Sequence, residues 1–264
     1  MCDQTEFLSL CGSLLYPSVM TRGDLSTYLV VLCSGMGRAT TTHLEYGYHL
    51  LGYLVQSKGL TLKIDASDIR VPMGMDKVEA EFYLSLGLHT YSDSSWGKSP
   101  KPIGGYIIFM CGCPVDWQAK MLKVVADSTC EAETAIGSRA TKATIFVRGT
   151  AVFIGVPISQ PTPLLIDNEA MLKMCSKHGA TSRTRYFDRA TALVKDAAQK
   201  LIVSLHLVPT DLEVADIFTK AVDMATLLRL RAYVFGATLK LEGAQLVHKA
   251  TKMVAKLRSI LSSL

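Results

Sequence analysis

The sequence has no pair of cysteines at the spacing of a zinc finger, although it contains seven cysteines. Cys111 and Cys113 stand only two positions apart, in a stretch that we expect to form a strand, which favours reduced thiols over a metal site. No apolar run approaches the roughly 20 residues that a membrane-spanning helix needs. The first residues include Asp3 and Glu6 and lack the basic stretch of a signal peptide. We therefore expect a soluble, intracellular chain that does not span a membrane.

Charged residues are also scarce, at 19% of the chain, whereas hydrophobic residues make up 49%. This balance excludes a disordered chain and supplies enough apolar material for a core. The length of 264 residues allows one large domain or two small ones. The net charge of +5 suits a polyanionic partner, but many proteins without such a partner share it, so the charge alone decides nothing.

The first part of the chain has the apolar spacing of helices and no residues arranged for chemistry. Residues 4–60 are predicted to form several helices, with Asp24 as the N-cap of one helix and Thr40 at the start of another. A concentration of proline, glycine and aspartate suggests a loop over residues 65–85. We therefore place a domain boundary there, after a helical packing segment over residues 1–85.

From residue 86 the pattern changes to short strands. Three of them, joined by short turns, predict an antiparallel meander, and the later strands alternate with helices. The predicted order is three strands, a long helix capped by Asp127 or Ser128, a strand, two helices, a strand and a last helix. Because strands after the meander need crossovers, they are expected to pair in parallel. The pattern predicts a mixed α/β sheet with helices on both faces, over residues 86–223.

Four acidic residues stand at comparable positions in this pattern. Asp93 and Asp167 end predicted strands, whereas Glu133 and Asp216 lie in predicted helices. Taken alone, an aspartate at the end of a strand is usually a turn residue or a solvated carboxylate. The two strands are expected to be neighbours in the centre of the sheet, with the two helices flanking them. If all four carboxylates converge, they form a site for hard divalent cations, which prefer oxygen ligands.

Several short motifs surround these acidic residues in a recognisable order. They are Tyr91-Ser-Asp-Ser-Ser-Trp96, Gly105-Tyr-Ile-Ile-Phe109, Trp117, Ser128-Thr-Cys-Glu-Ala-Glu133, Asp167-Asn168, Ser182-Arg-Thr184 and Ala215-Asp-Ile-Phe-Thr-Lys220. Together they resemble the ribonuclease H domain of the Pol polyproteins of copia-type LTR retrotransposons. Upstream, Gly12-Ser-Leu-Leu-Tyr16 is similar to the segment that joins reverse transcriptase to ribonuclease H in such polyproteins. The resemblance covers residues 8–236 and implies a ribonuclease H-like fold.

The resemblance implies a metal-dependent endonuclease that hydrolyses the RNA strand of RNA/DNA hybrids. In this chemistry two Mg²⁺ ions, for which Mn²⁺ can substitute, activate water and neutralise charge on the phosphate. Carried over by position, Asp93 bridges both ions, Glu133 and Asp167 hold one of them, and Asp216 holds the other. Glu133 is chosen over Glu131 because it matches the catalytic glutamate of the family and because Glu131 points to a different face of the helix.

The resemblance also implies contacts with the backbone and the minor groove of a hybrid duplex. Asn168 and Gln118 are predicted to lie near the groove. The predicted backbone contacts are all lysines or arginines: Lys98, Lys101, Lys120, Lys123, Arg183 and Arg185. The expected partners are therefore an RNA/DNA hybrid and the reverse-transcriptase part of the same polyprotein, in a cytoplasmic virus-like particle or in the nucleus.

Two further interpretations stay open. A catalytically silent, domesticated copy could keep the fold as a binding or assembly module, because the palm and fingers of a polymerase are absent from this sequence. An unrelated metal-dependent nuclease on the same fold would show the same acidic residues but take another substrate.

The last part of the chain, residues 224–264, is predicted to be a helical tail. Over residues 240–264 apolar positions alternate with lysines. A basic amphipathic helix of this kind can bind a partner helix, a membrane surface or nucleic acid, and it can equally dock on its own domain. The partner of this tail is therefore unknown at the level of sequence.

Overall fold

The computed structural model describes residues 3–64, 87–96, 101–123, 126–176 and 188–235. The helices are α1 (Gln4–Met20), α2 (Ser26–Ser34), α3 (Thr41–Gln56), α4 (Thr129–Phe153), α5 (Glu169–Ser176), α6 (Asp188–Gln199) and α7 (Met224–Phe235). The strands are β1 (Leu88–Ser95), β2 (Ile103–Met110), β3 (Cys113–Met121), β4 (Thr162–Ile166) and β5 (Val203–Leu207). Within this part of the chain, no helix is both long and apolar enough to cross a membrane.

The strands form one five-stranded sheet in the order β3-β2-β1-β4-β5. β2 pairs antiparallel with both β1 and β3, whereas β4 pairs parallel with both β1 and β5. The antiparallel half is continuous in sequence, and the parallel half needs the helical crossovers α4 and α6. The predicted mixed sheet with flanking helices, three antiparallel strands followed by parallel strands, is confirmed, and this is the arrangement that the resemblance to ribonuclease H domains implies.

The sheet is covered on both faces, because successive side chains of its central strands alternate between two apolar clusters. Ile108 of β2 and Leu164 of β4 pack against α4 on one face. Their sequence neighbours Ile107 on β2 and Leu165 on β4 point to the other face, where they pack against α7 and the turn that contains Phe218. Every residue of β1 is buried, so this strand lies at the centre of the molecule.

The N-terminal helices α1 to α3 pack around an apolar core of their own, which extends to Ile103 of β2. Two of the hydrogen bonds that attach these helices to the rest of the protein involve α1 and α2. Trp117 Nε1 on β3 donates to the carbonyl of Ser18 (2.9 Å), and Thr27 Oγ1 on α2 donates to the carbonyl of Ile217 (2.9 Å). The predicted boundary over residues 65–85 lies outside the described residues, and the division into three domains remains a prediction.

The prediction that Asp24 caps a helix is wrong. α2 begins at Ser26, and Asp24 lies in a 3-10 turn before it, where its carboxylate is buried. Arg22 donates to both carboxylate oxygens (2.9 and 2.8 Å), and Tyr53 OH on α3 donates to Oδ2 (2.6 Å). Arg231 of α7 completes the group by donating to Tyr53 OH (2.7 Å). A buried carboxylate needs such partners, and they outweigh any cap that Asp24 could have made.

Candidate active site

Two of the four acidic residues meet because their strands are parallel neighbours. Asp93 lies near the carboxyl end of β1, and Asp167 follows β4 directly. The register pairs Thr90 with Leu164 and Tyr91 with Leu165, and its continuation brings Asp93 level with Asp167. Carboxyl ends of adjacent parallel strands open at the same edge of a sheet, so the predicted meeting of these two carboxylates is found in the structure.

Glu133 reaches the same edge from α4. Its Oε1 accepts hydrogen bonds from the backbone N–H (3.1 Å) and the hydroxyl (2.9 Å) of Ser94. Glu131 behaves differently: its Oε2 accepts from the backbone N–H of Asp127 (2.9 Å), and Ser128 caps the helix. The helix therefore turns Glu133, and not Glu131, toward the strand ends. Ser94 fixes the orientation of the Glu133 carboxylate before any ligand binds.

Asp93, Glu133 and Asp167 form a cluster of carboxylates in which one oxygen from each lies within 4.8 Å of the other two. Burial, together with the negative charges of Asp93 and Asp167, raises the pKa of Glu133 well above its ordinary value. Burial and Asp93 likewise raise the pKa of Asp167. The second oxygen of Glu133, Oε2, is buried and has no hydrogen-bond partner among the described residues. An oxygen-only cluster with an unsatisfied buried oxygen fits a hard divalent cation.

Asp216 approaches from the other side of Asp93, and a lysine stands between them. Lys220 Nζ donates to Asp216 Oδ1 (2.6 Å) and to Asp93 Oδ1 (3.2 Å). The neighbouring Thr219 donates its hydroxyl to the other oxygen of Asp93. Burial and the charge of Asp93 raise the pKa of Asp216, and the ammonium of Lys220 opposes that rise. The fourth predicted carboxylate thus lies beside Asp93, within hydrogen-bonding reach of it, and Lys220 bridges the two, but Asp216 does not belong to the group of three.

The prediction of an α-helix around Asp216 is wrong. The chain forms two 3-10 turns there, Thr210–Leu212 and Val214–Phe218. Glu213 between them has extended backbone angles, and its side chain accepts from the backbone N–H of Ala215 (2.9 Å). The extended residue ends the first turn, and its carboxylate caps the second, which is too short to become an α-helix.

Sequence reasoning missed Glu213, Thr219 and Lys220 as parts of the site. Glu213 is almost completely buried, and burial together with the charge of Asp93 raises its pKa well above the ordinary value. Nothing in the sequence distinguishes it from a solvated loop glutamate. Thr219 and Lys220, in contrast, end the motif that begins at Ala215, so a signal was present for both.

The two polar residues predicted near the groove already have intramolecular partners. Asn168 Oδ1 accepts from the backbone N–H of Met171 (2.9 Å), and its amide nitrogen has no partner in the part of the chain that the structure describes. Gln118 Oε1 on β3 accepts from Arg139 Nη1 on α4 (3.2 Å). Asn168 is adjacent to the acidic cluster in sequence, whereas Gln118 lies two strands away from it.

Half of the predicted basic contacts can be placed. Lys120 is half-buried on β3, level with Gly104 of β2, and Lys101 and Lys123 are exposed just before β2 and after β3. Since β2 pairs Gly104 with Ser94, these lysines flank the end of the sheet that carries Asp93. The others, Lys98, Arg183 and Arg185, lie outside the described residues, as does the predicted basic helix over residues 240–264.

Comparisons with known proteins agree with this architecture. No model of a protein family matches the sequence. The chain is 24% identical over 225 residues to the retrovirus-related Pol polyprotein from transposon RE1 of Arabidopsis thaliana, a match that covers 83% of this chain and 14% of the polyprotein. It is 26% identical over 144 residues to secreted RxLR effector protein 161 of Plasmopara viticola, covering 53% of this chain and 90% of the effector. The N-terminal RNase H domain of a Mycobacterium tuberculosis protein, solved as a fusion with maltose-binding protein, aligns at 12% identity with a TM-score of 0.38, covering 50% of this chain and 89% of that one.

The chain is thus similar over most of its length to retrovirus-related Pol polyproteins of transposons. More particularly, the predicted resemblance to the Pol polyproteins of copia-type retrotransposons is confirmed. The chain spans only about a seventh of the curated polyprotein that it matches, 14% of its length.

Proposed function

We propose that this chain is a divalent-cation-dependent endonuclease that hydrolyses the RNA strand of RNA/DNA hybrids, as part of a retrotransposon Pol polyprotein. One observation carries the proposal: Asp93, Glu133 and Asp167 offer oxygens within 4.8 Å of one another at the open edge of a ribonuclease H-like sheet. A cation bound there would supply an activated water and neutralise charge on the phosphate. Mg²⁺ is the ion that we propose, with Mn²⁺ as its substitute, because both take carboxylate oxygens.

The protein holds the proposed ligands in place before an ion arrives. Asp93 and Asp167 are fixed by two paired strands, and Glu133 is fixed by the two hydrogen bonds from Ser94. Because these side chains are already held in place, they lose little conformational entropy when an ion binds. This favours both high affinity and correct ligand geometry. Burial and mutual repulsion of the carboxylates raise the pKa values of Glu133 and Asp167. A bound cation would relieve this repulsion.

A duplex can be oriented by the lysines at the same end of the sheet. Adjacent strands are about 4.8 Å apart, so Lys120 on β3 starts about 10 Å from the backbone of Asp93 on β1. Together with Lys101 and Lys123 it would bind phosphates on one side of the cleaved bond. The amide nitrogen of Asn168, free of its capping bond, is positioned next to Asp167 for a minor-groove or 2′-hydroxyl contact.

A second candidate function is a catalytically silent module that binds or assembles. The observation that favours it is the Plasmopara effector, since the matched region makes up 90% of that protein. A domain of this kind therefore exists in a protein with little room for a polymerase. The acidic cluster of the present chain favours hydrolysis, but binding without cleavage is the outcome that a test has to distinguish.

The direct test is cleavage of a labelled RNA/DNA hybrid by the purified chain in Mg²⁺ and in Mn²⁺. Asp93→Asn should abolish cleavage, whereas Glu131→Gln, which changes a nearby carboxylate outside the cluster, should leave it intact. RNA/RNA and DNA/DNA duplexes serve as substrate controls. Tight binding of the hybrid by a folded wild-type chain that cleaves it with neither ion would support the silent module, and cleavage confined to another duplex would support a different nuclease.

A further inference from the structure

Lys220 occupies the place between two carboxylates where a second cation would otherwise bind. Its ammonium lies 2.6 Å from Asp216 Oδ1 and 3.2 Å from Asp93 Oδ1, and its side chain is only 23% exposed. Asp93 itself is almost completely buried. A cation that joins these two aspartates is therefore already present, and it belongs to the protein.

The contacts of Asp93 show why this position is filled. Bridging two ions requires Asp93 to offer an oxygen toward Asp216, and Oδ1 already accepts from Lys220 there. The other oxygen, Oδ2, accepts from the hydroxyl of Thr219. Consecutive residues of one turn thus engage both oxygens of the same carboxylate. On the far side, Asp93 still provides a ligand to the cluster with Glu133 and Asp167.

Charge repulsion separates the ammonium from any second dication. A single positive charge and a dication about 4 Å apart repel by about 8 kcal/mol at an effective dielectric constant of about 20. The two cannot share the space between Asp93 and Asp216, so a second ion would have to drive Lys220 into solvent and break both of its ion pairs. Partial burial of the Lys220 ammonium costs desolvation free energy. The two ion pairs offset this cost as long as the ammonium stays between the aspartates.

We propose that Lys220 is a positioning residue that replaces the second divalent cation, so that the substrate-free protein binds one ion, at Asp93, Glu133 and Asp167. This inference rests on the proposed metal site. It replaces the expected pair of ions by one ion and one ammonium, with Asp216 acting as the anchor of Lys220 rather than as a ligand. The ammonium of Lys220 offsets the negative charge of Asp216 and Asp93, and the ion offsets that of the cluster of Asp93, Glu133 and Asp167.

The test is the number of Mn²⁺ ions bound per chain, measured without substrate by electron paramagnetic resonance of free Mn²⁺ during a titration. We expect one ion for the wild type, one for Asp216→Asn, and two for Lys220→Met, in which the freed aspartates can take the second ion. Lys220→Arg keeps the positive charge and should bind one.

Each other result has a definite meaning. Two ions on the wild-type protein, or one ion on a folded Lys220→Met variant, would overturn the assignment of Lys220 and leave the proposed function standing. No Mn²⁺ bound by any of these proteins would overturn the metal site, and with it both proposals. If Lys220→Met does not fold, the wild type and Asp216→Asn still decide, because a two-ion site would fall from two ions to one when Asp216 is lost.

Discussion

Glu133→Gln is predicted to change stability in opposite directions in the absence and in the presence of a divalent cation. Without the ion, burial and then repulsion from Asp93 and Asp167 disfavour the charged Glu133 carboxylate, which raises its pKa. Two unit charges 4.8 Å apart repel by about 3.5 kcal/mol at an effective dielectric constant of about 20. Glutamine removes this repulsion while its carbonyl can keep the bonds from Ser94, so we expect the variant to be more stable by about 1–3 kcal/mol.

The sign of the pH dependence follows from the direction of the pKa shift. A carboxyl whose pKa is higher in the folded protein is fully destabilising above that pKa, and the penalty decreases as the pH falls from there, until it is gone below the ordinary pKa of the unfolded chain. The advantage of Glu133→Gln should therefore be greatest in mildly alkaline buffer and should vanish in acid. This dependence separates charge repulsion from an effect of packing.

The cation reverses the order. An ion that binds only the folded protein stabilises it by about 4.1 kcal/mol at 1,000 times its dissociation constant. The Glu133→Gln variant lacks one of three carboxylate ligands, so the ion stabilises it much less than it stabilises the wild type. In saturating Mn²⁺ the wild type should therefore become the more stable protein.

Urea unfolding, followed by circular dichroism in EDTA and in Mn²⁺, measures both effects. Glu131→Gln is the matched control: it removes a carboxylate from the same helix two residues earlier, and its response to the ion should equal that of the wild type. The reasoning is refuted if Glu133→Gln gains as much stability from Mn²⁺ as the wild type does, or if it is the less stable protein in EDTA at alkaline pH.

Three further predictions address the fold around the site. Asp24→Asn should lower the free energy of unfolding by about 3–5 kcal/mol, because it leaves buried arginines without their counter-charge; an effect below about 1 kcal/mol in urea unfolding would argue against this. His89→Phe should remove a contribution that lowers the stability of the wild type by about 1.4 kcal/mol per pH unit between pH 6.5 and pH 5, because burial lowers the pKa of His89 from 6.5 to about 3 and only the unfolded chain takes up the proton. Gly105→Ala should reduce hydrolysis about 10- to 100-fold, since its Cβ would clash with the side chain of Phe218 and lie 3.0 Å from the carbonyl of that residue, displacing the turn that carries the fourth carboxylate. Gly149→Ala, with open space around its Cβ, is the control and should leave the rate unchanged.

The sequence predicted those parts of the site that depend on local pattern. Strand alternation placed Asp93 and Asp167 at the ends of strands, and the need for crossovers made those strands parallel neighbours. Helical geometry then separated Glu133 from Glu131, two residues apart on one helix. These inferences succeeded because period and chain connectivity determine them.

The features that sequence reasoning missed depend on burial by distant residues. The local sequence around Asp24 is typical of a helix cap. In the structure, Tyr53 and Arg231, which are distant from Asp24 in sequence, enclose it in a buried ionic group. Glu213 has the sequence context of a loop residue, yet its carboxylate is buried, caps the turn Val214–Phe218 and lies near the acidic cluster. No local pattern shows which polar side chains will be enclosed, so tertiary packing overrides propensity at these positions.

The attachment of the N-terminal helices affects how the part of the chain that carries the acidic cluster can be inherited or isolated. Those helices contribute no carboxylate, yet Thr27 is hydrogen-bonded to the carbonyl of Ile217, the residue after Asp216. Trp117, on the edge strand of the sheet, is bonded to α1 in the same way. A gene fragment that began at β1 would lack α1 to α3. It would therefore expose the apolar residues of the sheet that these helices cover, and it would lose the hydrogen bond from Thr27 to the turn before Lys220. Copying or expressing the acidic residues alone would therefore transfer the carboxylates without the scaffold that keeps Asp216 in position.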